Sequence, residues 1–163
     1  MQQEVNDRGL LEEVTQFIYR EARLQDDHAY DEWEALWSDD GIYWIPANGE
    51  GTDPENEMSI VYDNRSRIAL RIRQFHTGKR FSQTPRSRLR RIVSNIEILE
   101  RDGDQIRATS NAMVFESSVR GDTVWASRNE YRLRRGEGGL LMALKKVVLV
   151  NNETALYSMA FLI

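Results

Sequence analysis

The sequence predicts an α+β fold in which helices from the first half pack into a curved antiparallel sheet built by the second. Two observations carry that prediction. The first is strand-period alternation. Residues 123–134 put Trp125, Tyr131 and Leu133 on one side and Arg128, Glu130, Arg132 and Arg134 on the other, the pattern of a half-buried strand. Residues 91–100 repeat it with Ile92, Ile96 and Ile98, and residues 105–116 with Ile106, Ala108, Ala112 and Val114. Asp102-Gly103, Arg120-Gly121-Asp122 and residues 136–139 supply turns, followed by a fourth strand at 140–150 and a closing one at 156–163. The second observation is that such a meander must cover one apolar face, and only the first half offers helices to do so.

In order, residues 5–24 form the first helix, with Asn6 or Asp7 as N-cap and an apolar stripe of Leu10, Leu11, Val14, Phe17, Ile18 and Ala22. Asp26-Asp27 interrupts it and caps a second helix to about residue 38, striped by Tyr30, Trp33, Leu36 and Trp37. Residues 41–46 read as a short strand closed by Pro46. Residues 47–57 are acidic, hold glycine and proline, and form an exposed loop. A third helix over 63–75 presents Ile68, Ile72 and Phe75 and stops at Thr77-Gly78. Residues 155–163 are apolar on both faces, so this segment is either a central strand or buried against another chain. The chain reads as one domain over residues 1–163. Its element order resembles the cone-shaped fold shared by nuclear transport factor 2 and ketosteroid isomerase, which hosts enzymes, binding modules and assembly subunits alike.

The absence of cysteine excludes disulfides, removes the thiolate from any catalytic or metal scheme, and suits a cytoplasmic setting. A mean hydropathy of −0.59 and 29% charged residues describe a water-exposed surface, while 40% hydrophobic residues suffice for a core. No apolar run approaches the roughly 20 residues that span a bilayer. Met1-Gln2-Gln3-Glu4 lacks the regions of an export signal. Neither a membrane nor nucleic acid is expected as partner, the latter because the net charge is −4. The basic run Arg86-Ser87-Arg88-Leu89-Arg90-Arg91 reads as a solvated strand edge or a contact with an acidic protein surface.

Ligand counting decides the metal question. A Rieske cluster needs two cysteines and two histidines, and a mononuclear iron triad needs two histidines and a carboxylate. His28 and His76 are the only histidines, lying in separate helical regions, so one site would consume both. Tyr30, Asp31 and His76 are the residue types able to move a proton inside a cone. Against this, Asp26, Asp27 and Asp31 suit a helix start, and His76 a helix end. Trp33, Trp37, Trp44 and Trp125 are explained mainly by core packing, with subunit contacts the alternative. Arg65, Arg67, Arg71 and Arg73 fit a polar interface or a solvated face equally well.

Several stretches together resemble the small (beta) subunit of aromatic-ring-hydroxylating dioxygenases, and the acidic loop Asp53-Pro54-Glu55-Asn56-Glu57 with Tyr62-Asp63-Asn64-Arg65 looks more like the members of benzoate and anthranilate type. The stretches are Tyr19-Arg20-Glu21-Ala22-Arg23-Leu24-Gln25-Asp26-Asp27, Tyr30-Asp31-Glu32-Trp33 and Tyr43-Trp44-Ile45-Pro46. Pro85-Arg86-Ser87-Arg88-Leu89-Arg90-Arg91-Ile92-Val93-Ser94-Asn95-Ile96, Ser110-Asn111 and Lys145-Lys146-Val147-Val148-Leu149 continue the series. The resemblance runs from about residue 10 to the end. Arg91 departs from it, standing where a histidine is expected.

The resemblance implies a trimer of small subunits joined to three large (alpha) subunits. The large subunit carries the Rieske 2Fe-2S cluster and a mononuclear Fe(II), and receives electrons from NADH through a reductase or ferredoxin. On this reading the chain is a component of an oxidoreductase, and no catalytic, cofactor-binding or metal-ligating residue is assigned to it. The alternative is a free-standing cone-fold isomerase, dehydratase or hydrolase using Tyr30, Asp31 or His76, which requires those side chains to line an internal cavity. A transport-factor-like binding module would instead show an exposed apolar patch with no large partner.

Overall fold

A computed structural model describes residues 2–77, 85–153 and 161–163, with side chains described from Asp7 onward. Helix α1 (Gln2–Asp26) is followed by a single-turn helix α2 (Tyr30–Glu34), strands β1 (Trp37–Pro46) and β2 (Ser59–Asp63), and helix α3 (Arg65–His76). Four long strands follow: β3 (Arg88–Asp102), β4 (Gln105–Ser118), β5 (Gly121–Gly136) and β6 (Gly139–Leu149). With β1 and β2 they form one curved six-stranded sheet in the order β2-β1-β6-β5-β4-β3. The expected meander is present, and it is joined by an element the sequence does not advertise: β1 lies beside β6 and runs parallel to it.

The apolar stripes do what their spacing predicts. Leu10, Val14, Phe17 and Ile18 of α1 and Ile68, Ile72 and Phe75 of α3 are buried in one core with the inward residues of β4, β5 and β6, and Ala22 is buried as well. Each fully buried aliphatic side chain contributes about 1.5–3 kcal/mol relative to exposure. Leu11, expected in the stripe, is 40% exposed. Asn6 and Asp7 do not cap α1, which has already begun at Gln2.

The boundary between the first two helices also differs from expectation. Asp26 and Asp27 complete the last turn of α1 instead of starting a new helix. The amide of Ala29 donates to the Leu24 carbonyl (2.9 Å) and that of His28 to Gln25 (3.2 Å), with His28 in the left-handed region at φ 53°. This is a Schellman ending, in which histidine occupies the position glycine usually takes. The second helix stops at Glu34, well short of residue 38. The Met142 amide reaches the Leu36 carbonyl (2.7 Å) and Trp37 pairs with Met142, so sheet pairing claims the chain first. The third helix starts at Arg65, where the Asn64 side chain accepts from the Arg67 amide (3.0 Å). Strand β2, absent from the expectations, is five residues long at the sheet edge and too short to show a period.

In β3 the alternation slips. Asn95 sits at φ 54° and the register with β4 shifts between Ser94 and Glu97. An extra residue in one strand reverses the faces on either side of it. Val93 therefore joins Ile96 and Ile98 against the core, while Ile92, expected with them, is 56% exposed on the outer face.

The expected closing strand at 156–163 falls outside the described residues except for Phe161, Leu162 and Ile163, which carry no strand pairing. These three are buried in the chain's own core. Arg91, only 3% exposed in its side chain, holds them: it pairs with Asp26 and donates to the Leu162 carbonyl. The Tyr43 hydroxyl donates to the Ile163 carbonyl at 2.5 Å and accepts from the Ile163 amide at 3.1 Å. Replacing Tyr43 by Phe leaves two buried backbone groups unpaired, and urea unfolding is expected to show a loss of about 1–3 kcal/mol. An unchanged midpoint would mean that these groups find water instead.

Candidate functional site

The acid–base candidates meet at one place, and it is not the interior of the cone. Tyr30 is buried with its ring stacked on Phe75 at 4.6 Å between centroids. Its hydroxyl lies 3.1 Å from His28 Nδ1, and His28 Nε2 lies 2.8 Å from the Ser87 carbonyl. A carbonyl only accepts, so Nε2 carries a proton, and in the neutral ring Nδ1 then accepts from Tyr30. Burial pushes the Tyr30 phenol up, with the Arg86 charge opposing. A phenol so held stays protonated near neutral pH and is not a base.

Asp31 and His76 pair with each other at 2.7 Å (Oδ1 to Nε2), with side chains 74% and 48% exposed. His76 also lies edge-on to Tyr30 at 5.9 Å. The two histidines thus flank one tyrosine at the junction of α2, α3 and the start of β3. Asp31 and His76 face solvent rather than an internal cavity, which removes the geometry that a cone-fold acid–base enzyme using them requires. Among the described residues no three His, Cys, Asp or Glu side chains are grouped to hold a metal ion.

The interior instead holds a polar cluster that sequence reasoning missed. Lys145 Nζ lies 2.6 Å from Glu21 Oε1, and both side chains are 2% exposed. With its amide oriented to donate to Glu21 Oε2 at 3.1 Å, Gln25 accepts from Lys145 at 3.2 Å. Trp33 Nε1 donates to Glu21 Oε1 at 3.2 Å, and Tyr131 presents its ring 5.9 Å from the ammonium. Burial pushes the Lys145 ammonium down, opposed by the Glu21 carboxylate. Burial, reinforced by Glu21, raises the Tyr131 phenol.

The signal for this cluster was in the sequence. Glu21 and Gln25 continue the α1 spacing of Val14 and Ile18, and Lys145 alternates with Val147 and Leu149 on the inward face. Charges on an apolar face pair with one another or not at all. Lys145→Met alone is expected to cost about 3–5 kcal/mol, because it strands a buried carboxylate. Adding Glu21→Leu should recover most of that loss in urea unfolding, and a double variant no better than the single one would contradict a closed pair.

The tryptophans are all committed within this chain. Trp33, Trp37 and Trp125 belong to the core. Trp44 lies on the other face of the sheet under the loop 47–57, bonded to Ser59 (3.0 Å) and covered by Lys146, whose ammonium reaches the Gly51 carbonyl at 2.7 Å. Of the helix-α3 arginines, Arg65 pairs with Glu34 and Arg71 with Asp63. The basic run at 86–91 divides: Arg86 lies over Tyr30, Arg91 turns inward, and Arg88 and Arg90 point outward.

The outer face of β3, β4 and β5 is open and apolar. Ile92, Met113 and Ala126 sit in one cross-strand row and Arg90, Phe115 and Val124 in the next. Ile92, Met113, Phe115 and Val124 are 41–56% exposed. Part of this face forms an open groove of about 840 Å³, lined also by Gly49, Glu50 and Glu153. Singly exposed apolar residues mean little, but a contiguous row on a sheet face marks an interaction surface.

Comparison with known proteins follows this geometry. The family described as ring hydroxylating beta subunit matches residues 20–155. The 2-halobenzoate 1,2-dioxygenase small subunit of Burkholderia cepacia is 30% identical, covering 86% of this chain and 88% of that one. The crystal structure of the beta subunit of benzoate 1,2-dioxygenase from Burkholderia mallei superposes with a TM-score of 0.74 at 24% identity, covering 85% of this chain and 89% of that chain. An NTF2-like protein with a cystatin-like fold from Novosphingobium aromaticivorans gives a TM-score of 0.60 at 20% identity, covering 91% of this chain and 85% of that chain. The cone-shaped fold is therefore shared with NTF2-like proteins, and the chain belongs to the ring-hydroxylating beta-subunit family.

Proposed function

We propose that this chain is the non-catalytic small subunit of an aromatic-ring-hydroxylating dioxygenase, a structural component of an NADH-dependent oxidoreductase working in the cytoplasm. The observation that carries this reading is the family match across 20–155, supported by likeness to a 2-halobenzoate dioxygenase small subunit over nearly its whole length. The partner is a large oxygenase subunit, and the assembly is three small with three large subunits. The Rieske cluster and mononuclear iron supply the redox chemistry on the large subunit, fed by a reductase or ferredoxin.

The residues of this chain do not fit either group. There is no cysteine, and the two histidines are engaged by Tyr30 and Ser87 and by Asp31. No catalytic, cofactor-binding or metal-ligating role is assigned to any residue here, and residues 1–163 act as one domain. The contribution of the chain is geometric. The six-stranded sheet holds large subunits in register, so that the cluster of one lies near the iron of the next. The likeness to the 2-halobenzoate and benzoate enzymes favours an aromatic acid as substrate, with specificity residing in the large subunit.

Affinity purification of the tagged chain from its native host, read by subunit mass, iron content and visible absorbance, tests this directly. A brown complex with an equimolar larger chain is expected, and Asp31→Asn and His76→Ala should leave its turnover unchanged. A colourless protein bound only to itself would refute the assembly role. A large subunit that turned over fully as a stable trimer without this chain would refute it as well.

A further inference from the structure

Four exposed arginines gather at one edge of the sheet, in a chain whose net charge is −4. β3 is an outermost strand, and α1 packs against it. Arg20 and Arg23 stand on the second half of α1, about one turn apart, and Arg88 and Arg90 on the outer side at the start of β3. Arg23 and Arg90 line one cleft of about 390 Å³ together with Tyr19 and Ile92. Arg90 also lines a second cleft with Arg88, so the two clefts share it.

None of the four makes an ion pair among the described residues. Arg91, their neighbour in sequence, shows the other use of a guanidinium, turned inward and neutralised by Asp26. That pair consumes Asp26, and Glu116 of the second cleft accepts from Ser87 and Trp125. Asp27 and Asp122 are the remaining carboxylates lining the two clefts, too few for the guanidiniums gathered there. Like charges held close without counter-charges repel one another, so the arrangement is unfavourable for the chain by itself. It becomes favourable when carboxylates of another molecule face it, because each guanidinium offers a carboxylate two parallel N–H bonds.

The kind of partner follows from composition. A permanent interface is apolar and depleted of charge at its centre. In the cleft between Arg23 and Arg90 the large exposed apolar side chains are Tyr19 and Ile92 alone, 47% and 56% exposed. A surface rich in charge and poor in apolar area suits a partner that is steered in electrostatically, binds briefly and leaves. We propose that the arginine edge formed by α1 and the start of β3 is a docking surface for an acidic electron-donor protein. Arg23 and Arg90 hold its carboxylates, and Tyr19 and Ile92 supply a small apolar contact. The inference rests on the oxygenase-subunit reading above, which requires a protein that delivers electrons at each turnover. Electrons pass from that donor to the large subunit and through no residue of this chain, which only positions the donor.

The test uses the whole oxygenase complex with the host's own electron donor, purified by the NADH-driven turnover it supports. Arg23→Glu combined with Arg90→Glu should raise the KM for the donor about tenfold or more, with kcat at saturating donor little changed. Added salt should raise the wild-type KM steeply and that of the variant hardly at all. Arg23→Lys with Arg90→Lys keeps the charge and should stay within about threefold of wild type. Arg101→Glu with Arg120→Glu makes the same change of net charge at exposed positions elsewhere, and should leave the KM unmoved. An unchanged KM in the first variant, or an equal rise in this control, would overturn the inference. Should the charge reversal not fold, Arg23→Gln with Arg90→Gln is measured instead, with a smaller rise in KM expected and none overturning the idea. A variant that folds but no longer captures the large subunit would assign the edge to that subunit and refute donor docking, while the assembly role stands. A wild-type chain that captures no large subunit, or whose complex shows no donor-dependent turnover, would sink the oxygenase reading and this inference with it.

Discussion

A sheet has two faces, and the described helices cover one of them. Much of the rest of the structure follows from that imbalance. The stripes of α1 and α3 fill the concave side around Trp33, Tyr43 and Tyr131. The loop between β1 and β2 folds back over Trp44 and Lys146 and protects part of the convex side. The three strands farthest from that loop keep Ile92, Met113, Phe115 and Val124 in water. Burying such side chains is the dominant favourable contribution to association, and an isolated copy forgoes it.

Among the described residues the interior carries a buried ion pair between α1 and β6. Where a catalytic pocket would need an accessible acid or base, Lys145 and Glu21 neutralise each other, with Gln25 and Trp33 completing their hydrogen bonds. A buried pair of this kind is expensive to break and adds little net stability, but it disfavours any packing that leaves either charge alone. It ties α1 to β6, elements more than a hundred residues apart. Arg91 makes a second tie of the same sort, joining the end of α1 to β3 and to Leu162. Arg91 is thus a structural clamp. Arginine suits it because a guanidinium offers several fixed donors, enough for a carboxylate and a carbonyl together.

The candidate acid–base residues illustrate how sequence proximity misleads. Tyr30 and Asp31 are adjacent, yet on a short helix adjacent residues point in different directions. Tyr30 turns into the core to stack on Phe75, while Asp31 turns out to meet His76 in solvent. Their joint availability for catalysis was a property of the list of residues, not of the chain in space.

The chain's order of residues determined a good deal by itself. The long strands, their turns, the helical stripes and the absence of thiol ligands all rest on local periodicity and composition, which survive any arrangement of neighbours. Tertiary structure decided the rest, for three physical reasons. Pairing with β6 overrode helical spacing at Trp37, because a backbone ladder with a central strand outweighs weak helix propensity. A single bulge at Asn95 reversed which face of β3 is wet, moving Ile92 from core to surface, and nothing in a period of two reveals an inserted residue. The burial of Glu21 with Lys145 was visible only as two charges on two apolar stripes. That they face each other depends on which helix crosses which strand, and only the folded chain contains that information.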